Sequence, residues 1–322
     1  MEVIRTGVIG VGHLGQHHAR IYSELPQTRL VGVADLDQAR RTEIGNRFGA
    51  AHFGDYRSLL GQVDAVSVAV PTLQHRDVVL DCLEAGVHVL VEKPIAATPE
   101  EGRQMVHRAK QNGLVLHVGH VERFNPVGAL VRDRISNPRF IEFHRLAPFQ
   151  PRGTDVNVVL DLMIHDVDLI LSFGLGRVKS VEAVGTAVLS PQVDFAHARV
   201  EFDEGCVVNL TASRMSTGRL RKMRLFQEHL YLSVDFLSRQ GIVYRQTDPA
   251  TAESSVQEES IQAGDEEPLK RELQAFVQGI QTSVPAGVSG EEGLAALELV
   301  HAIIDSIRGT TFPLPGLSKI GA

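Results

Sequence analysis

Lys93, Asp161 and His165 are the side chains whose types and settings suit proton transfer on a small molecule. Lys93 stands in Glu92-Lys93-Pro94, directly after a short apolar run. A positive charge held there stabilises a developing alkoxide and eases removal of a hydroxyl proton. An isolated lysine is by default a solvated loop residue; placement at a strand end reverses those odds. The Lys93–Pro94 bond is a candidate cis peptide, with trans the base-rate expectation. Asp161, His165 and Asp168 are spaced by four and then three residues inside an apolar stretch over 158–173. On a continuous helix they share one face, while Leu162, Ile164, Val167 and Leu169 project largely into packing. An imidazole whose ordinary pKa is about 6.5 both accepts and returns a proton near neutrality. A buried histidine alone is more often structural than catalytic, and Asp166 or Asp168 alone fits a solvated or capping role. Two acids and an imidazole together favour function for His165 with Asp161.

A second constellation points to a nucleotide. Gly10-Val11-Gly12-His13-Leu14-Gly15 is a GxGxxG between a strand-like run and a helical stretch. Gly10 permits the tight turn, Gly12 lets the backbone approach a pyrophosphate, and Gly15 lets the helix pack close to the sheet with its N-terminus facing the phosphates. The next strand ends at Asp35, twenty residues past Gly15, where an acid binds the adenosine ribose hydroxyls. The competing reading is a glycine-rich turn without a ligand; strand, helix and acid together count against it. NAD is therefore the expected cofactor, since Asp35 repels a 2′-phosphate, with NADP the alternative because Arg40 and Arg41 lie close. His13 and Leu14 complete the fingerprint contacts.

These groups need a frame. Short apolar runs at 6–10, 29–35, 64–70, 88–92 and 114–120 alternate with helix-period segments, the pattern of a parallel sheet covered on both faces. Pro71, Thr72 and His75 follow one of these runs, and Glu92 and Lys93 close another. All five thus sit at carboxyl strand ends, where open α/β sheets bind ligands. Thr98-Pro99-Glu100-Glu101 is a capping box with proline at the first helical position. The chain length suggests two domains, and 43% hydrophobic with 22% charged residues is the usage of an ordinary globular protein. A net charge of -7 argues against a nucleic-acid binder. Only Cys82 and Cys206 occur, both in apolar segments, so neither a disulfide framework nor a metal site is expected, and a reducing compartment fits. With no basic leader or bilayer-length apolar run, the expectation is a cytoplasmic protein without a membrane partner.

Glu92-Lys93-Pro94 behind a nucleotide-binding half resembles the Gfo/Idh/MocA family, the glucose-fructose oxidoreductase and inositol dehydrogenase group, over essentially the whole chain. That resemblance implies a Rossmann domain over 1–122 and a substrate-binding and oligomerisation α+β domain over 123–322, built on a large, mainly antiparallel sheet. It places Lys93 beside the nicotinamide and the reacting hydroxyl. Asp161-Leu162-Met163-Ile164-His165-Asp166-Val167-Asp168 is similar to the family's Asp-x-Gly-x-His-x-x-Asp, which adds Asp161 and His165 to the site. Met163 stands where many members have glycine, which leaves the acid–base roles intact and puts the transfer of a small-polyol pocket in doubt.

After the hinge sequence Glu122-Arg123-Phe124-Asn125-Pro126, runs at 139–146, 180–189, 196–202, 206–213, 223–227, 230–236 and 241–246 read as strands. The stretch 247–268 carries seven acids and no Lys or Arg, and reads as a solvated edge or loop, with disorder as the alternative. Helices over 269–282 and 291–308 close the fold, the second capped by Ser289 with Glu292. Arg123 and Arg152 join Lys93, Asp161 and His165 as candidate substrate contacts, and Arg145 and Arg152, just upstream of Asp161, suit phosphate recognition. Within the family, Arg152-Gly153-Thr154-Asp155 followed by the Asp161 segment resembles a sugar-nucleotide branch. The implied activity is NAD-dependent oxidation of the 3-hydroxyl of a UDP-N-acetyl sugar to a 3-keto sugar. A free polyol, inositol or sugar dehydrogenase, an NAD-dependent glycosidase and a non-catalytic dinucleotide sensor are the alternatives. The resemblance also implies a homodimer or homotetramer formed through the C-terminal sheet.

Overall fold

Period-2 and period-3.6 patterning resolve into two sheets in the computed structural model, which describes residues 3–150, 156–247, 256–282, 284 and 286–309. The first half runs β1 (Ile4–Ile9), α1 (Gly15–Glu24), β2 (Thr28–Ala34), α2 (Gln38–Phe48), β3 (Ala51–Phe53), α3 (Arg57–Leu60), β4 (Ala65–Val68), α4 (His75–Glu84), β5 (His88–Glu92), α5 (Pro99–Asn112) and β6 (Leu116–Gly119). Its six strands are parallel in the order β3-β2-β1-β4-β5-β6, the doubly wound arrangement whose switch point lies between β1 and β4. The five expected strands are present within a few residues. β3 and α3 are additional, and each is too short to carry a readable period.

The hinge is a 3₁₀ turn, Val121–Phe124, followed by α6 (Pro126–Arg132), β7 (Phe140–Leu146), α7 (Ile164–Leu171), β8 (Val178–Thr186), β9 (Phe195–Phe202), β10 (Val207–Ser213), β11 (Leu220–Gln227), β12 (Leu230–Asp235), β13 (Gln240–Gln246), β14 (Val256–Gln262), α8 (Pro268–Thr282) and α9 (Gly290–Gly309). Eight strands form the second sheet, antiparallel except for the β7–β10 pair. Alternation aims Ile141 and Phe143 of β7, Val208 and Leu210 of β10, and Met223 and Leu225 of β11 into one core against Val167 and Ile170 of α7.

Two expectations are sharpened. Of the readings of the acidic stretch, the solvated edge holds for its described part: β14 pairs along β13 at the edge of the sheet, with Ile261 buried and Glu258 and Glu259 exposed. Acids on an edge strand keep it solvated and discourage a further strand from adding, which is why a strand here carries so little hydrophobic signal. The helix expected over 158–173 is present without a break through Leu171, but its first turn, Val159–Met163, is a π turn that runs into α7.

The last two helices return to the first sheet. Leu273, Phe276 and Val277 of α8 pack with Val8, Ile21, Tyr22 and Leu90, and Leu297 of α9 joins the core under β5 and α5. A neighbouring face of α9, through Ala296, Val300 and Ile303, enters the core of the second sheet. Ser289 and Glu292 cap α9 reciprocally, Ser289 N donating to Glu292 Oε2 at 2.9 Å and Glu292 N to Ser289 Oγ at 3.2 Å.

Candidate active site

The glycine loop leaves β1 with Gly10 at φ +84°, where a side chain would also meet Ala69 O at 2.7 Å. A Cβ on Gly15 would lie 1.8 Å from Gly10 O, so glycine alone allows α1 to start this close to the turn. A Cβ on Gly12 would meet nothing nearer than an Arg40 guanidinium nitrogen at 3.8 Å, leaving its backbone open to an approaching group. Asp35 is locked by two backbone donors, Val11 N to Oδ2 at 2.9 Å and Asp37 N to Oδ1 at 2.9 Å, with the Arg40 guanidinium 3.8 Å away. Around them lies a cavity of about 540 Å³ that Gly10, Gly12, His13, Leu14, Asp35 and Pro71 help to line. A glycine cradle, an oriented acid and this volume fit a dinucleotide. Leu36, Tyr56 and Gln74 also line it and were not anticipated. No local motif marks them; only adjacency to Asp35 and to Pro71-Thr72 hints at two.

Thr72, Gly15, His75, Glu92 and Lys93 are not in that lining. His75 is buried, its ring set between Pro94 O (Nδ1, 2.9 Å) and Val70 O (Nε2, 3.0 Å), so it ties two strand-end loops together. Glu92 is buried below Lys93. Burial works to raise its pKa, but the hydrogen bond and charge of His18 and the charge of Lys93 prevail and hold it below its ordinary value.

The Lys93–Pro94 peptide is cis. Lys93 Nζ donates to the backbone carbonyl of Asp161 at 2.8 Å and lies 3.5 Å from Asp161 Oδ1, so the end of β5 is fastened to the π turn. π turns recur at functional sites because the extra residue re-aims side chains. Here Asp161 and His165, on the π turn and on α7, line one cavity of about 240 Å³ together with Leu162, Arg145, Arg214, Arg219 and Arg221. Burial, reinforced by the charges of Lys93 and Arg145 and by His120 and Arg221, holds the His165 pKa well below 6.5. The ordinary value assumed from sequence therefore does not apply, and the imidazole is neutral at neutral pH. Its Nδ1 is buried without a partner among the described residues.

Asp168 does not join this cavity: it is fully buried and forked by Arg123, whose remaining amine pairs with Glu292. Arg123 is thereby directed away from the cavity. Arg145 is present in the lining but is itself buried and held by Asp166 and Glu122. Arg152 lies outside the described residues. Arg214, Arg219 and Arg221 were missed, although a signal exists. Each extends the inward row of its strand beyond the apolar residues, as Val208, Leu210, Ala212 and Arg214 do on β10, and as Arg219 and Arg221 do ahead of Met223 and Leu225 on β11. Among the described residues no His, Cys, Asp and Glu group could hold a metal, and no helix is long and apolar enough to cross a membrane.

Comparison with known proteins adds to this geometry. Residues 4–120 match the family model described as "Oxidoreductase family, NAD-binding Rossmann fold", and residues 131–230 match "GFO/IDH/MocA C-terminal domain". The chain is 37% identical to UDP-N-acetylglucosamine 3-dehydrogenase of Acidithiobacillus ferrooxidans, over 94% of this chain and 98% of that protein. A solved structure of that enzyme superposes with a TM-score of 0.90 at 35% identity, covering 96% of this chain and 99% of that one. Myo-inositol 2-dehydrogenase of Thermotoga maritima is 25% identical over 95% of this chain and 96% of its own.

Proposed function

The chain belongs to the Gfo/Idh/MocA family of NAD-binding oxidoreductases, and on that premise we propose that it oxidises the 3-hydroxyl of a UDP-N-acetyl sugar, of the UDP-N-acetylglucosamine class, to a 3-keto sugar. It is a dehydrogenase acting on a CH–OH group. The substrate reading is carried by the arginines: Arg214, Arg219 and Arg221 line the cavity that holds Asp161 and His165, Arg214 with one amine on Val156 O at 2.7 Å and Arg221 3.4 Å from Glu122. Guanidinium groups fork phosphate oxygens, so this wall suits a diphosphate tail while the sugar meets the acid–base pair. A free polyol has no anionic group for a guanidinium to fork.

Bound in the glycine cradle, NAD supplies the two-electron acceptor. The protein's own groups manage the proton. With Nδ1 buried, Nε2 is the nitrogen that takes the hydroxyl proton: the depressed pKa keeps the ring neutral, and the tautomer protonated at Nδ1 leaves Nε2 free to accept. Lys93 stabilises the resulting alkoxide, and Asp161 keeps the ammonium in place through its carbonyl and carboxylate. Gly10, Gly12, His13, Leu14, Asp35 and Pro71 hold the cofactor.

The division into 1–122 for cofactor and 123–322 for substrate and assembly belongs to the same proposal, as does a reducing, cytoplasmic setting, supported by two buried free thiols. A homodimer or homotetramer through the outer face of the second sheet is supported by an aromatic row on it, with ring centroids 5.8 Å apart for Phe140–Phe226, 4.9 Å for Phe226–Tyr231 and 6.0 Å for Tyr231–Tyr244. Light scattering at 35.2 kDa would contradict it. The function is tested by following reduced nicotinamide absorbance with UDP-N-acetylglucosamine, free N-acetylglucosamine and myo-inositol. Charge-assisted contacts are worth roughly 1.5–3 kcal/mol each, so one or two of them on the diphosphate should give the UDP sugar a lead of about a hundredfold in kcat/KM. Comparable values for a free sugar or inositol refute the tail.

A further inference from the structure

Flanking His165 are two buried acids, and each is forked by an arginine that also bonds elsewhere. Arg145 Nε lies 3.0 Å from both oxygens of Asp166, with a further contact of 2.6 Å from its terminal amine. Its other amine donates to Glu122 Oε2 at 3.0 Å. Arg123 donates to the two oxygens of Asp168 at 2.8 and 2.9 Å, and to Glu292 of α9 at 2.8 Å. Glu122 and Arg123 are consecutive residues of the hinge turn. The turn between the two sheets therefore contributes one member to each network, and the two networks grip α7 at the positions one and three residues after the imidazole.

We propose that Glu122 and Arg123 are positioning residues, through which the hinge fixes the aim of His165 and sets the charge around it. Breaking a buried pair costs more than making it contributes, so removing Glu122 or the fork of Arg123 disturbs the arrangement that the networks hold on α7. Glu122 also accepts from Asn125 at 2.8 Å, which keeps its carboxylate in place, and lies 3.4 Å from Arg221. Arg145 and Arg221 are directly opposed on β7 and β11, and Glu122 is the acid between them. Lys93, Arg145, His120 and Arg221 are the titratable groups facing His165, and Glu122 answers two of them. Removing its charge leaves more positive field at the imidazole, so His165 protonates at lower pH.

This rests on the reading of His165 as the proton acceptor, and the experiment separates the two. Steady-state kinetics with UDP-N-acetylglucosamine and NAD across pH are compared for wild type, His165→Ala, Glu122→Gln and Arg123→Lys, with NAD affinity from cofactor fluorescence. Glu122→Gln should lower kcat at least tenfold and move the acidic limb of kcat/KM to lower pH, with NAD affinity within about twofold of wild type. Arg123→Lys keeps the charge and loses the fork. It should lower kcat about tenfold without moving the limb, and it decides alone if Glu122→Gln does not fold. If both keep kcat and the limb while His165→Ala is inactive, positioning is refuted and the acid–base reading stands. An active His165→Ala overturns the reading of the site itself.

Discussion

Replacing Glu272 with glutamine should remove a pH dependence from the protein's stability. Glu272 lies on α8, 2% exposed, and neither carboxyl oxygen has a hydrogen-bond partner among the described residues. Burial, with the neighbouring charges of Glu92 and Asp168, raises its pKa well above 4.5. The folded protein therefore keeps a proton that the unfolded chain releases once pH passes about 4.5. Stability linked to this group is complete below that pH and is lost as pH rises toward the folded pKa, at up to about 1.4 kcal/mol per unit. Glutamine has the same shape and no such dependence, so the Tm difference between Glu272→Gln and wild type should grow in the variant's favour with pH. At about 2–4 °C per kcal/mol for domains of this size, the slope is roughly 3–5 °C per pH unit. Subtracting the two melts at each pH from about 5 to about 8 cancels every other titrating group. A difference that stays constant across that range would refute the reasoning, because it would mean that Glu272 is ionised in the fold.

Asp35→Ala should shift cofactor preference toward NADP, since it removes the charge that repels a 2′-phosphate and leaves Arg40 without that partner; an unchanged ratio of affinities would count against Asp35 as the discriminator. His165→Ala and Lys93→Met should each lower turnover by roughly 10²–10⁴-fold with NAD affinity preserved, and near-wild-type rates in both would dismiss the site. Should Lys93 be the base instead, Lys93→Met abolishes the acidic limb of the pH–rate profile and His165→Ala leaves it in place. Arg219→Ala should raise KM for the UDP sugar about tenfold with kcat retained, and should flatten the dependence of KM on salt.

The cofactor half was legible because its chemistry is local: three glycines, one acid and a strand–helix alternation lie within a few dozen residues, and each requirement is steric or electrostatic at a named position. Lys93, Asp161 and His165 were legible from types, spacing and resemblance, but their environment was not. A free imidazole pKa gave no warning that burial, Lys93, Arg145 and Arg221 crowd His165. Arg123 reads in sequence as an available cation and in space is consumed by Asp168 and Glu292. The arginine wall depends on strands that meet only through sheet register, with Arg221 reaching Arg145 across 76 residues of chain. β14 hid behind its acids, and the π turn hid inside a stretch whose spacing suits a regular helix.

Because α8 and α9 supply Leu273, Phe276, Val277 and Leu297 to the first sheet's cores, the part of the molecule made first is finished last. At about 5–20 residues per second, Leu273 leaves the ribosome roughly 10–40 s after Leu90, the strand residue it packs with. Throughout that interval the nascent nucleotide half carries an uncovered apolar face while the whole second sheet is being synthesised. A chain cut at the hinge would keep that face for good. Expression of residues 1–122 alone should therefore yield aggregate or a chaperone-bound species, and supplying residues 268–309 as a separate peptide is the way to recover it.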